Sequence, residues 1–412
     1  MRGTVLALLL LAHAAAAQQV APTSDHELVQ QLLERVRQLE AEVQELKGHQ
    51  TAPAPAQSSS AEATPAPTPI PAEPAASMHA GMGEPQGPFA GFTGMQFRGF
   101  SDVDYHASSL RGTKNSFALG QFNLFITSRL TDRLSFLAET VFEADQTNAY
   151  GVELERLLFT YAASDYLNVS IGRYHTAIGF YNTAYHHATW LQTAVDRPFL
   201  FAFEDDGGIL PIHNVGITAT GHIPSGGLGL HYVAEVGNGR ASRTPEEPVQ
   251  NVRDENNGKA VNFALYARPD AWRGFQAGFS LYHDRLTPLG LPTVGEFIYS
   301  GHVVYQGSRF EWLNEALVVR ETMVGGRVLH TPGWYTQISR KFGPIRPYFR
   351  YQYVNVPQGD PLFSDVGLMH GPSFGTRWDF SDYAAFKLEY DRTELRRAAG
   401  YNGLATQVSF TF

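Results

Sequence analysis

The segment GLATQVSFTF, residues 403–412, decides the fold. Leu404, Val408, Phe410 and Phe412 alternate with Ala405, Gln407, Ser409 and Thr411. A period of two marks a strand with one apolar face, whereas the ends of water-soluble domains usually fray into polar residues. Such a strand needs a partner for its hydrogen-bonding edge and an apolar solvent for its greasy face.

The rest of the composition supports strands over helices. Of 412 residues, 17% are charged and 12% aromatic, with 39 Gly and no Cys. The lack of cysteine excludes a disulfide scaffold, Cys-based zinc sites, a thiol nucleophile and a lipoprotein anchor. A formal charge of −9 gives no electrostatic reason to bind nucleic acid. At the N-terminus, Arg2, the apolar run TVLALLLLA and the small-residue stretch AAAA predict a signal peptide over 1–17. That run is about half the ~20 residues a membrane-spanning helix needs.

Residues 24–47 carry a heptad seam of Val29, Leu32, Val36, Leu39, Val43 and Leu46. Ser24 and Glu27 have capping-box spacing at its start. In a parallel pair Arg35 meets Glu40 and Glu42 meets Lys47, both opposite in sign, so a self-associating coiled coil is expected. The alternative is one amphipathic helix packed on a domain. Residues 48–90, rich in Pro, Ala and Ser, read as a disordered linker.

From residue 91 to 412, short segments of alternating polarity recur. In QAGFSLYHD (276–284), Ala277, Phe279 and Leu281 alternate with Gln276, Gly278, Ser280 and Tyr282. In AAFKLEYDR (384–392), Phe386, Leu388 and Tyr390 alternate with Lys387, Glu389 and Asp391. Short separators stand at 131–133, 163–166, 224–227, 269–274, 306–308, 343–346 and 381–383. They alternate with longer ones near 107–115, 144–151, 175–213, 237–259, 286–294, 320–332, 355–369 and 394–402. Fifteen connections make sixteen strands. A soluble sandwich has no reason to sort its loops by length, but an antiparallel outer-membrane barrel does. The expected fold is all-β: a transmembrane antiparallel barrel of about sixteen strands, preceded by a short α-helical coiled coil.

On these features the chain resembles the bacterial outer-membrane porins, specifically trimeric sixteen-stranded porins with a periplasmic coiled coil, such as the phosphate-selective O/P-like porins. The resemblance implies a homotrimer among outer-membrane lipids, assembled by the barrel-assembly machinery, which reads Val408, Phe410 and Phe412 as its signal. It implies passive diffusion of small hydrophilic solutes or ions, with no cofactor and no enzymatic step. The chain departs from the phosphate-selective pattern. It has five lysines, and beyond residue 90 there are 27 basic and 31 acidic residues.

Pore selectivity is set at the narrowest ring of side chains, and connection 175–213 is the expected constriction. Its Trp190, Leu191, Phe199, Phe201, Phe203 and Leu210 need burial, which inward folding supplies. The alternatives are a lid over the barrel mouth or a subunit contact. Constriction candidates are Arg173, Arg197, Glu204, Asp205 and Asp206; lumen-wall candidates are Arg350, Arg377, Lys387, Glu389 and Asp391. The loop histidines His175, His186 and His187 show no HxH or HExxH spacing and are expected to be solvated or hydrogen-bonded, not metal ligands. Two other function classes remain at this stage: a plugged structural or adhesive barrel, and an outer-membrane enzyme, for which no GxSxG motif is present.

Overall fold

The computed structural model describes residues 94–144, 149–186, 188–203, 207–241, 252–396 and 398–412. The signal-peptide, coiled-coil and linker segments, and the Glu204–Asp206 run, lie outside the described residues. The strands are β1 Gln96–Ser108, β2 Ser116–Arg129, β3 Leu134–Ala144, β4 Tyr150–Ser164, β5 Leu167–His175, β6 His213–Ile223, β7 Leu230–Gly237 and β8 Ala260–Ala267. They continue as β9 Phe275–Leu286, β10 Val294–Gln306, β11 Phe310–Met323, β12 Val328–Arg340, β13 Ile345–Asn355, β14 Leu368–Asp379, β15 Ala384–Leu395 and β16 Tyr401–Thr411. Each strand pairs antiparallel with its sequence neighbours, and β1 pairs with β16 to close the barrel.

Closure leaves no ladder edge. The β1–β16 register runs from Phe100↔Thr411 to Ser108↔Gly403. Two further backbone bonds lock the seam at its end: Gly99 N to Phe412 O at 3.0 Å and Phe412 N to Gly99 O at 3.1 Å. The Phe412 ring stacks on Phe122 with centroids 5.5 Å apart.

The connections fall where the sequence predicts, but their lengths sort less strictly: 268–274, expected among the short ones, is as long as 109–115 and longer than 145–149 or 396–400. The expected long connection 320–332 is only the turn 324–327, because β11 and β12 stay paired from Phe310↔Arg340 to Thr322↔Val328. Val319, Glu321, Leu329 and Thr331 keep the buried half of the alternation going through that stretch.

The outer face is apolar all round. Phe117, Val152, Phe159, Ile171, Phe263, Phe279, Leu281, Trp334, Phe374, Leu388, Val408 and Phe410 are exposed, while the neighbouring Ser280, Lys387, Glu389 and Ser409 are buried. An apolar belt of this extent far exceeds the few hundred Å² a soluble monomer usually shows, and it is the surface a lipid-facing barrel needs. Tyr166, Trp272, Phe342 and Tyr383 stand exposed in four of the connections expected to be short, where an interfacial aromatic girdle belongs.

The inner face corrects the simple rule of polar inside, apolar outside. Tyr282, Ile298, Leu313, Leu317, Val319 and Tyr335 point inward and are buried. They form one core with Ile178, Phe180, Tyr181, Phe201, Ile209 and Leu210 of the β5–β6 connection. Inward positions are apolar where the lumen is filled by protein instead of water.

Candidate functional site

The filling is the connection 176–212. Its ends are cross-strand neighbours, since His175 pairs with His213 at the mouth of the β5–β6 ladder. Asn182 ties both ends together, donating from Nδ2 to the carbonyls of Thr176 (2.8 Å) and Ile212 (3.0 Å). Between them run a helical turn, Tyr181–Ala184, and a 3-10 turn, Phe199–Phe201.

A segment with so little regular structure exposes backbone polar groups that must find partners when buried. The barrel wall supplies them by charge. Inward carboxylates accept from loop N–H groups: Glu235 of β7 from Ala177 (3.1 Å), Glu315 of β11 from Phe180 and Tyr181 (2.9 Å), and Glu389 of β15 from Val195 (2.8 Å) and Asp196 (3.1 Å). Inward cations donate to loop carbonyls: Arg350 to Asp196 (2.8 Å), Arg377 to Trp190 and Gln192 (3.0 Å), and Lys387 to Thr189 and Ala194 (3.2 Å). Arg350 also pairs with Glu389 at 3.0 Å, both side chains about 1% exposed.

Arg350, Arg377, Lys387 and Glu389 point inward, but they hold the loop instead of facing water. Asp391 stands half-buried beyond them on β15. Arg173 is buried and donates to the Glu155 carbonyl at 3.2 Å. Arg197 donates to the carbonyls of Phe201 (2.5 Å) and His186 (2.7 Å), with its guanidinium 3.7 Å from the Phe203 ring centroid. Of the loop's apolar residues, Phe201 and Leu210 are fully buried; Trp190 lies half-buried under Arg377, and Leu191 remains 36% exposed.

The loop leaves an opening of about 290 Å³ against the β1–β2–β16 side. Asp102, Asp104, Gln121 and Gln407 line it from the wall, and Thr189, Asp196, Arg197 and Phe203 from the loop. Three carboxylates thus face one guanidinium. Asp102 also accepts from Thr189 Oγ1 at 3.0 Å. Asp102 and Asp104 escaped the sequence reading, because nothing local in SDVDY says which wall the loop leaves uncovered.

Beside this opening, Glu155, His175, His186 and His213 bring one ligand atom each to within 4.8 Å of one another, all buried. The sequence offers His175 and His186 only as solvated or hydrogen-bonded loop residues, and nothing in it singles out His213 or Glu155. The pairing of β5 with β6 is the signal that joins them.

No family model matches the chain, and no curated protein matches it. Solved structures do. The outer-membrane channel DcaP of Acinetobacter baumannii aligns with TM-score 0.56 at 9% identity, covering 78% of this chain and 99% of its own. The fold is that of the outer-membrane porins. The anion-selective porin of Comamonas acidovorans aligns with TM-score 0.55 at 12% identity (77% and 99% covered). OmpF of Salmonella typhi, described in complex with daunomycin, gives 0.54 at 13% (77% and 97%). Identities this low speak to the porin fold alone.

Proposed function

We propose that the chain is an outer-membrane porin, a passive aqueous channel for small hydrophilic solutes with a preference for cations. Loop 175–213 is its constriction. The observation that carries this reading is the polar opening beside an inserted loop, lined by Asp102, Asp104 and Asp196 against Arg197. The reading involves no catalytic step and no cofactor. The signal peptide over 1–17 would direct export, and Val408, Phe410 and Phe412 recognition by the barrel-assembly machinery. The seam at 24–47 would associate in the periplasm beyond the 48–90 linker, with a trimer proposed. Loss of oligomer mass in detergent on removing 24–47 is the expected result, and an unchanged mass would refute that role.

The selectivity claim is tested by reversal potentials in a tenfold KCl gradient, for which perfect cation selectivity gives ~59 mV. Replacing Asp102, Asp104 and Asp196 together by Asn is expected to remove roughly half of the cation-selective potential, since charge at the narrowest ring dominates selection. Extending the replacement to Glu204, Asp205 and Asp206 tests the acidic run next to Phe203. Acidification should act in the same direction. Burial, and next the carboxylate of Glu389, push the Asp196 carboxyl up to about 6. Asp196 is then charged above that pH and neutral below it, so cation preference falls as pH drops from 7.5 to 5. The share of the change centred near pH 6 is lost in Asp196→Asn. A potential indifferent to all these changes would move the filter elsewhere.

A plugged anchoring barrel is the second reading. The dry packing of Ile178, Phe201 and Leu210 on the β10–β12 wall favours it, and it is separated from the first by whether current flows.

A further inference from the structure

The cluster beside the opening has the composition and build of a metal site. In the β3–β4 ladder Glu139 pairs with Arg156, but the next residue, Thr140, pairs with Leu154. Glu155 is therefore the extra residue of a β-bulge, a device that re-aims side chains. Instead of alternating, Glu155 and Arg156 both turn inward, and Arg156 then takes Glu139 as its partner. Glu155 is left to approach the histidines, in contact with His213 and 3.5 Å from His186 Nε2.

The imidazoles converge from three places: the end of β5, the start of β6 and the loop. Nε2 of His186 and Nε2 of His213 lie 2.9 Å apart, and the His175 ring stacks on His186 with centroids 3.3 Å apart. His175 Nε2 is buried without a hydrogen-bond partner, 3.7 Å from the nearest carboxylate oxygen, that of Glu139. His186 has φ +39°, the one non-glycine positive φ among the described residues, and such strain persists where the surroundings hold a functional geometry. Its Nδ1 lies 3.3 Å from Asn182 Oδ1. A proton on Nδ1 donated to that oxygen leaves the Nε2 lone pair aimed into the cluster, the orienting hydrogen bond that metal-ligating histidines usually make.

We propose that Glu155, His175, His186 and His213 bind one divalent transition-metal ion of the zinc class. Ligands at about 2.0–2.2 Å in a tetrahedron stand roughly 3.3 Å apart; the 2.9 and 3.5 Å separations lie on either side of that spacing, Glu155 and His213 stand closer, and every pair lies within 4.8 Å. Three imidazoles and one carboxylate suit zinc, nickel or copper. Calcium and magnesium want six or more oxygens and find one carboxylate here. With all four positions supplied by protein, the site is a structural clip with no place for substrate. Three ligands belong to the wall and one to the loop, so the ion fastens the loop at His186. The His186 carbonyl accepts from Arg197 (2.7 Å) and Gln192 (3.2 Å), both of which line the opening. His186 lines it too, giving the ion its way in from the lumen.

The test uses the folded full-length protein in detergent, stripped with chelator and titrated with Zn²⁺ by calorimetry and with Co²⁺ by visible absorption. The expected result is one ion per chain and the intense visible bands of four-coordinate cobalt. Both His186→Ala and His213→Ala should weaken binding by more than about tenfold, with barrel mobility on unheated gels confirming the fold. His222→Ala, outside the cluster, should bind like the wild type. No binding by the wild type, or equal binding and unchanged cobalt bands in both cluster variants, overturns the proposal. The readout needs no current, so a barrel that conducts nothing would still reveal the ion.

Discussion

Replacing Glu389 by alanine is expected to loosen the loop and destabilise the barrel by about 3–5 kcal/mol, the usual cost of stranding one partner of a buried ion pair. Glu389 accepts from Arg350 (3.0 Å), Tyr348 (2.6 Å) and the backbone N–H groups of Val195 (2.8 Å) and Asp196 (3.1 Å). Its removal leaves the buried Arg350 guanidinium without a carboxylate counter-charge and the amides of Val195 and Asp196 without their acceptor. Arg350 still holds the Asp196 carbonyl, so the turn at 195–196 is loosened, not expelled. Denaturant unfolding followed by mobility on unheated gels reads the stability. Noisier, larger current steps read the loosened loop. A loss below about 0.5 kcal/mol, the level of an ordinary surface substitution, with unchanged steps would mean that the apolar core alone holds the loop.

Gly99→Val should have a comparably large effect at the closing seam. A Cβ at Gly99 would lie 2.3 Å from the Phe412 ring and 2.6 Å from the Asn123 carbonyl oxygen. The ring can swing aside, but the carbonyl belongs to the β2 backbone and cannot. Any side chain here therefore pushes β1 off β2 or expels Phe412 from its stack on Phe122. Opening the seam exposes backbone groups to lipid, each costing several kcal/mol. The expected outcome is a steep fall in folded, heat-modifiable barrel in the outer membrane. Wild-type yield would show that the seam tolerates what its geometry forbids.

The β16 strand was legible because its pattern is local. Val408, Phe410 and the intervening Gln407 and Ser409 point where a period of two sends them, and loop lengths supplied the strand count. The direction of Arg350, Lys387 and Glu389 was legible for the same reason. Their work was not. From sequence they look like charges facing water, and only the loop's path turns them into acceptors and donors for its backbone. Leu313, Leu317 and Val319 are the converse case: apolar residues on the inner face make sense only once Phe201 and Leu210 arrive from across the lumen. Glu155 depended on a bulge, and a one-residue irregularity leaves no mark in the alternation of a single strand.

The β5–β6 loop is proposed to narrow a conducting lumen, and the absence of cysteine opens that proposal to thiol labelling. Gln121→Cys and Ala202→Cys place single thiols on the two sides of the opening, one on the wall and one on the loop; Phe279→Cys places one on the outer face. Single-channel recording in planar bilayers, before and after a charged methanethiosulfonate reagent, reads all three. Discrete steps are expected in every protein, reduced by modification at Gln121→Cys and Ala202→Cys and untouched at Phe279→Cys and in the wild type. No discrete steps, or steps unchanged by modification at both opening positions, would contradict that proposal.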